Sequence, residues 1–224
     1  MKQIDSVTGE DRSYPGQAVY TTAFLRIYDP FVLGMSNRLI YRCPSSEVLG
    51  LYDRHVTDRH LDIGPGTGYF LDRCRFPSDR PELTVVDLNP SVLAFTAQRL
   101  RRYAPRTLQA DILQPLPLPA ASFASIGLNY VLHCLPGSMR EKSSIFSGLA
   151  ELLTPGGVLF GSTALGRGVH YGWLGRRAMT VYNNRGILSN ADDSLRDLQA
   201  GLDSAFSSAE VRVRGTVALF TAQR

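Results

Sequence analysis

The sequence predicts an α/β protein built on a parallel sheet that ends in an antiparallel hairpin. Short apolar strands alternate with helical segments of about 10–15 residues, the pattern of right-handed crossovers on a parallel sheet. Near the end, Glu210–Arg214 and Thr216–Thr221 read as strands separated by Gly215 alone. So short a link leaves no room for a crossover helix, so the last strand must return antiparallel. Finally, glycines follow an apolar strand directly and a helix begins at once, the local signature of a strand–turn–helix unit.

Each element has its own reason. His60–Gly64 is a buried strand and Gly68–Arg75 the helix after it. Glu82–Asp87 is the second strand. Asn89-Pro90 supplies an N-cap and a first-turn proline, opening a helix to Leu100. Thr107–Ala110 is a short third strand and Phe123–Asn129 a fourth. Ser138-x-x-Glu141 is a capping box that predicts a helix to Leu153, stopped by Thr154-Pro-Gly-Gly157. Val158–Ser162 is the fifth strand, and a helix near Ala191–Phe206 precedes the hairpin. One domain is expected over 1–224: a helical N-terminal lid at 14–56, a core at 57–163, a Gly-rich and aromatic capping insertion at 164–190, and the final helix and hairpin at 191–224. Segments flanking the carboxyl ends of strands are where an α/β enzyme places a lid.

Composition narrows the class. With 224 residues, 44% hydrophobic and 20% charged, the chain can bury a core and is neither disordered nor fibrous. The longest run without Asp, Glu, Lys or Arg, Ile112–Met139, carries four prolines, Asn129 and His133, so it is no membrane span. The polar start, Met1–Arg12, argues against a secretory leader. Cys43, Cys74 and Cys134 form no C-x-x-C pair, which fits reduced thiols in the cytoplasm. The net charge of +4 is carried almost wholly by arginine, Lys2 and Lys142 being the only lysines. The one cluster, Arg99, Arg101, Arg102 and Arg106, reads as a solvated helix face before a phosphate-binding stripe.

The stretch Leu61-Asp-Ile-Gly-Pro-Gly-Thr-Gly68 carries the chemistry. Glycines let the backbone turn sharply and approach a ligand where a Cβ would collide. Neither frame gives G-x-G-x-x-G, and no Walker lysine follows, so the pyrophosphate readings lose ground. Asp87 ends the next strand about 20 residues after Gly66, where an acid can accept both ribose hydroxyls. Asp111, ending the third strand before apolar Ile112, could bond an adenine amino group while Ile112 covers the ring.

On these residues the chain resembles the class I S-adenosylmethionine-dependent methyltransferases. Leu61–Gly68 matches their first motif, D-x-G-x-G-x-G. Val86–Ser91 is similar to the second and Ala110-Asp-Ile112 to the third. Phe123–Asn129 with Val131-Leu-His-Cys-Leu-Pro136 resembles the fourth, and Leu152–Gly157 closes the set. The resemblance, over roughly 58–163, implies a Rossmann-like seven-stranded, mostly parallel sheet with an antiparallel last strand and helices on both faces. It implies S-adenosyl-L-methionine as cofactor and S-adenosyl-L-homocysteine as product. Gly64, Gly66 and Gly68 would pass under the methionine part, with Asp62, Pro65 and Leu88 beside the cofactor. Asp87 would hold the ribose, Asp111 and Ile112 the adenine, and the Asn129 backbone would sit near the amino group. Tyr28, of the Tyr28-Asp29 pair, would reach the carboxylate.

The acceptor side is read residue by residue. His133, after the fourth strand, is the candidate catalytic group at the pocket mouth; packing beside the cofactor or holding the loop is its alternative. Tyr20, Tyr130, His170, Tyr171 and Trp173 are the candidate substrate wall, with lid packing as the alternative for the aromatic loop. His55 and His60 read as surface residues, Cys134 as a buried inert thiol, and no cluster has metal-ligand spacing. The expected activity is methyl transfer to a small apolar or aromatic metabolite, with a small-molecule acceptor as partner, nucleic acid disfavoured and a homodimer open. The rivals are an RNA or protein methyltransferase using the arginine surface, and a non-methylating cofactor-binding protein on the same fold. Asn129-Tyr-Val-Leu132 departs from the N-P-P-[YF] pattern, which argues against the base-amine subclass.

Overall fold

A computed structural model of the protein describes residues 37–224. The strands are β1 (Arg59–Ile63), β2 (Glu82–Asp87), β3 (Arg106–Gln109), β4 (Phe123–Asn129), β5 (Leu153–Ala164), β6 (Ser208–Arg214) and β7 (Val217–Gln223). They form one seven-stranded sheet in the order β3-β2-β1-β4-β5-β7-β6. Strands β1 to β5 pair in parallel, and β7 runs antiparallel between β5 and β6. This is the predicted fold. The helices are α1 (Ser45–His55), α2 (Tyr69–Arg73), α3 (Pro90–Arg99), α4 (Met139–Lys142), α5 (Ile145–Leu152), α6 (Trp173–Asn184) and α7 (Leu195–Ala205). Among the described residues no helix is long and apolar enough to cross a membrane.

Two apolar cores cover the two faces of the sheet. Leu61, Ile63, Ile126 and Leu128 pack with Phe146, Leu149, Leu198 and Leu202 of α5 and α7. Leu83 and Val85 share the opposite core with Val48, Leu51 and Tyr52, one face of α1, and with Leu93 of α3. A strand covered on both faces is buried at every position, which is why β1 has no solvent-facing side beyond Arg59.

Local signals hold in several places. Asn89 caps α3, its side chain accepting from the Ser91 amide at 2.9 Å, with Pro90 in the first turn. Ser138 and Glu141 form the expected capping box. The helix it opens does not run to Leu153, however. It stops after Lys142 and restarts as α5, because the Ser143 and Ser144 hydroxyls donate back to the Met139 and Glu141 carbonyls at 2.7 Å. Such local bonds compete with helix propagation. Strand β5 is longer than Val158–Ser162 at both ends. Its pairing to β4 shifts between Phe123–Leu153 and Ser125–Val158, which accommodates the Thr154–Gly157 stretch. Its far end is extended by β7, down to the Ala164–Val217 pair.

The insertion is built around a helix, α6. Of the lid expected at 14–56, residues 37–56 are described, with one helical turn at Asn37–Leu39 followed by α1; Tyr20 and Tyr28 lie outside the described residues. The two histidines flanking β1 require a correction. His60 is fully buried and His55 is half-buried against Phe160 (ring centroids 5.8 Å apart), its pKa lowered by burial and by the nearby Arg54.

Candidate active site

The strand order reverses between β1 and β4, and a crevice opens outside the carboxyl ends of strands at such a reversal. Register does the rest. Ile63 pairs with Val86 on one side and Leu128 on the other, so Gly64, Asp87 and Asn129 come to one level. Asp87 in turn pairs with Gln109, bringing the Ala110-Asp111 tip alongside. A cavity of about 1070 Å³, its open mouth included, lies above these tips. Gly64, Pro65, Gly66, Asp87, Leu88, Asp111, Ile112, Asn129 and Tyr130 all line it, whereas Gly68 is next to it as the left-handed cap of α2.

The glycine loop has the backbone the sequence required. Gly64 and Gly66 have φ of 64° and 58°. A Cβ at Gly64 would meet Val131 Cγ2 at 2.4 Å, while one at Gly66 would meet nothing within 4 Å. Bare backbone is therefore part of the cavity wall at Gly66, and a side chain there would take up space open to a ligand. Helix α3 braces the loop from behind. Thr96 Oγ1 donates to the Gly66 carbonyl at 2.8 Å and Arg99 Nη1 to the Thr67 carbonyl at 3.0 Å. Thr96 escapes the sequence reading, and Arg99, read there as part of a solvated helix face, instead bonds the loop. Their only signal is a spacing of three on α3, which places them on one side of that helix.

Both strand-tip acids are fixed by local turns. Asp87 Oδ1 accepts from the Asn89 amide at 2.8 Å, and Asp111 Oδ1 from the Leu113 amide at 2.9 Å. Burial pushes the Asp87 carboxyl up to about 6, against the lowering effect of the Asn89 and Leu88 amides. Tyr130 sits at φ 58°, a costly conformation for a residue with a Cβ, held by its amide bonding to the Ser162 carbonyl at 2.8 Å.

Asp62 lies elsewhere. It is buried on the α1 face of β1, accepting from Tyr52 Oη at 2.7 Å and facing His60 Nε2 at 3.2 Å. His60 Nδ1 contacts Ser125 Oγ at 2.8 Å. These contacts tie Tyr52, Asp62, His60 and Ser125 into one buried polar network. Strand alternation turns Asp62 away from the wall that Ile63 and Gly64 form. Tyr52, whose ring is on the wall, is the link between this network and the cavity.

Several acceptor-side expectations are also corrected. His133 is not at the mouth; it is buried behind the wall, and Ala164 donates its amide to Nδ1 at 3.3 Å. Burial, with the Lys142 charge adding to it, holds its pKa at about 3. Tyr171 is buried with Oη donating to the Leu165 carbonyl at 2.7 Å, whereas His170 is exposed and Trp173 is 73% exposed. None of the three lines the cavity among the described residues. Cys134 does, together with Val131 and Leu135, but burial pushes its thiol up to about 12, so it is no nucleophile at neutral pH.

Comparison with known proteins agrees with this geometry. Residues 61–159 match the sequence profile of a methyltransferase domain. The chain is 42% identical to demethylluteothin O-methyltransferase of Streptomyces thioluteus over 207 residues, covering 92% of this chain and 90% of the relative. It is 37% identical to the physcion biosynthesis cluster O-methyltransferase of Aspergillus chevalieri, covering 93% and 95% respectively. Among solved structures, the N-methyltransferase NodS of Bradyrhizobium japonicum, in complex with S-adenosyl-L-homocysteine, superposes with a TM-score of 0.61 at 18% identity, over 96% of this chain and 99% of that one.

Proposed function

We propose that this chain, which belongs to the S-adenosylmethionine-dependent methyltransferase family, transfers the methyl group to a hydroxyl oxygen of a small apolar or aromatic natural product. The chain is a methyltransferase of small metabolites with S-adenosylmethionine as its cofactor. Oxygen as the acceptor atom rests on one observation above all: the 42% identity, along nearly the whole chain, to an O-methyltransferase.

The cavity fits the cofactor. The bare loop at Gly64–Gly68 would take the methionine part, and Asp87 would accept the ribose hydroxyls. Asp111 would accept from the adenine amino group while Ile112 and Leu88 cover apolar surface, and Asn129 would lie near the amino group. When bound, S-adenosylmethionine supplies a methyl carbon already activated by a sulfonium. The residues' task is then to align the acceptor and exclude water. Val131, Leu135 and the Tyr130 ring give the cavity an apolar side suited to a flat acceptor. The arginine cluster supports a small acceptor over RNA: Arg99 bonds the glycine loop and Arg102 pairs with Asp72. Three free cysteines with no C-x-x-C pair support a reducing, cytoplasmic setting.

The test is product analysis with methyl-labelled S-adenosylmethionine and two kinds of acceptor, demethylluteothin and simple aminophenols, which offer oxygen, nitrogen and ring carbon. A labelled methyl ether is the expected product. Label on nitrogen or carbon of an acceptor that offers all three atoms would overturn the oxygen assignment.

A further inference from the structure

His133 lies where a polar circuit closes. Its Nδ1 accepts the amide of Ala164, the last residue of β5, at 3.3 Å. The carbonyl of Ala164 accepts from Asn190 Nδ2 at 2.9 Å. The amide of Ser189, one residue earlier, returns to the carbonyl of His133 at 2.8 Å. Ring and backbone of one residue therefore tie the Leu132–Cys134 turn to the strand end and to the segment after α6. The imidazole also meets aromatic rings, Tyr130 in a T-shaped arrangement at 5.8 Å and Tyr41 tilted at 6.4 Å between centroids. Tyr130 is on the cavity wall, in its strained left-handed conformation, and so are Val131, which precedes the same turn, and Cys134, which ends it.

We propose that His133 is a positioning residue: a neutral, Nδ1-accepting imidazole that holds Tyr130 and the 131–135 turn against the cofactor cavity, and takes no proton from the acceptor. A general base needs a free lone pair within reach of the acceptor and an imidazole that can be protonated near neutrality. Here the Nδ1 lone pair is occupied, the ring is outside the cavity lining, and burial opposes the charged form. The positive charge of Lys142, which is buried and bonded to Ser189 O and to Asp193, acts in the same sense, and the opposing carboxylate of Asp193 is committed to that lysine. An amide left without its acceptor in this buried place is costly, so the ring cannot readily turn to serve another partner.

The inference rests on the assignment of the cavity to the cofactor, and the experiment separates the two. On the unmodified protein, ¹⁵N-detected histidine resonances, assigned with single-histidine variants, report tautomer and charge without any acceptor. His133 is expected neutral, with Nδ1 unprotonated, across about pH 5–8. Protonation in that window, or a proton on Nδ1, overturns the proposal. Calorimetric titration with S-adenosylhomocysteine then reads positioning. His133→Ala should weaken binding by about tenfold or more, and His133→Asn, whose Oδ1 can accept the Ala164 amide, should restore it to within about threefold. Parent-like affinity in His133→Ala, or an Asn variant as weak as Ala, overturns it. If the Ala variant does not fold, the Asn variant against the parent decides by the same threefold and tenfold margins. Failure of the parent itself to bind S-adenosylhomocysteine would instead sink the cavity assignment, while the resonance data still judge His133.

Discussion

Asp87 shows what burial does to one functional carboxyl. Its pKa of about 6, above the ordinary 3.8, means that the folded protein holds this proton more tightly than the unfolded chain does. The contribution to stability of the ligand-free fold is therefore fully present below 3.8 and lost as pH rises through 6. Cofactor binding has the opposite sign, because ribose hydroxyls donate to the ionised form. Affinity for S-adenosylhomocysteine should fall as the group protonates, by about tenfold between about pH 7 and pH 5. Asp87→Asn should be weaker by about 1.5–3 kcal/mol at neutral pH and flat across that window. A calorimetric series over pH on both proteins checks this; parallel slopes would remove the assignment. Asp62 makes the contrasting case: two residues from Gly64 in sequence, it serves Tyr52 and His60 instead of the cavity.

At the level of elements, the insertion is held by polar bonds as much as by packing. Lys142 at the end of α4 and Asp193 before α7 are both fully buried and 2.7 Å apart. Burial lowers the lysine and raises the aspartate, more than their pairing opposes, so desolvation outweighs attraction in each. Asp193 also takes the Gly166 and Arg167 amides on its carbonyl, each at 3.0 Å, which fixes the start of the insertion. Lys142→Met would leave a buried carboxylate alone and should cost about 3–5 kcal/mol. Lys142→Met combined with Asp193→Leu should recover most of that, since no charge remains to be compensated. Urea unfolding of the two variants measures the difference. Equal destabilisation would mean that the pair supplies attraction rather than merely cancelling its own burial.

Taken whole, the molecule is a sheet whose parallel part, β3-β2-β1-β4-β5, reverses order once, and the cavity sits at that reversal. Ligand binding there should be felt by the entire fold, since strands β1, β2 and β4 supply both the site and the centre of the core. At about 100 times its Kd, S-adenosylhomocysteine should add about 2.7 kcal/mol of stability. For a chain of this length that corresponds to a rise in Tm of about 5–10 °C. Scanning calorimetry with and without the ligand reads it directly, and an unmoved Tm would contradict the cavity assignment.

The sequence by itself determined the strands, the antiparallel close of the sheet, the glycine loop and the acids at the tips of β2 and β3. These are local: apolar runs, a one-glycine link, backbone that only glycine adopts readily, and an acid ending a strand. Even the cap of α3 and the box of α4 are readable within a few residues. Only the tertiary structure decided which side chains face which space. His60 and Asp62 alternate with Leu61 and Ile63, a pattern that ordinarily marks a solvent-facing side, yet every position of β1 after Arg59 is buried and this polar side faces α1. Tyr171 bonds back to the Leu165 carbonyl just past the end of β5 while Trp173 stands in solvent, and nothing in the spacing of the Gly-rich insertion tells these two aromatics apart. His133 sits behind the wall for a similar reason: its partners, Ala164, Ser189 and Lys142, come from three separate elements, and spacing along the chain cannot say where such elements meet.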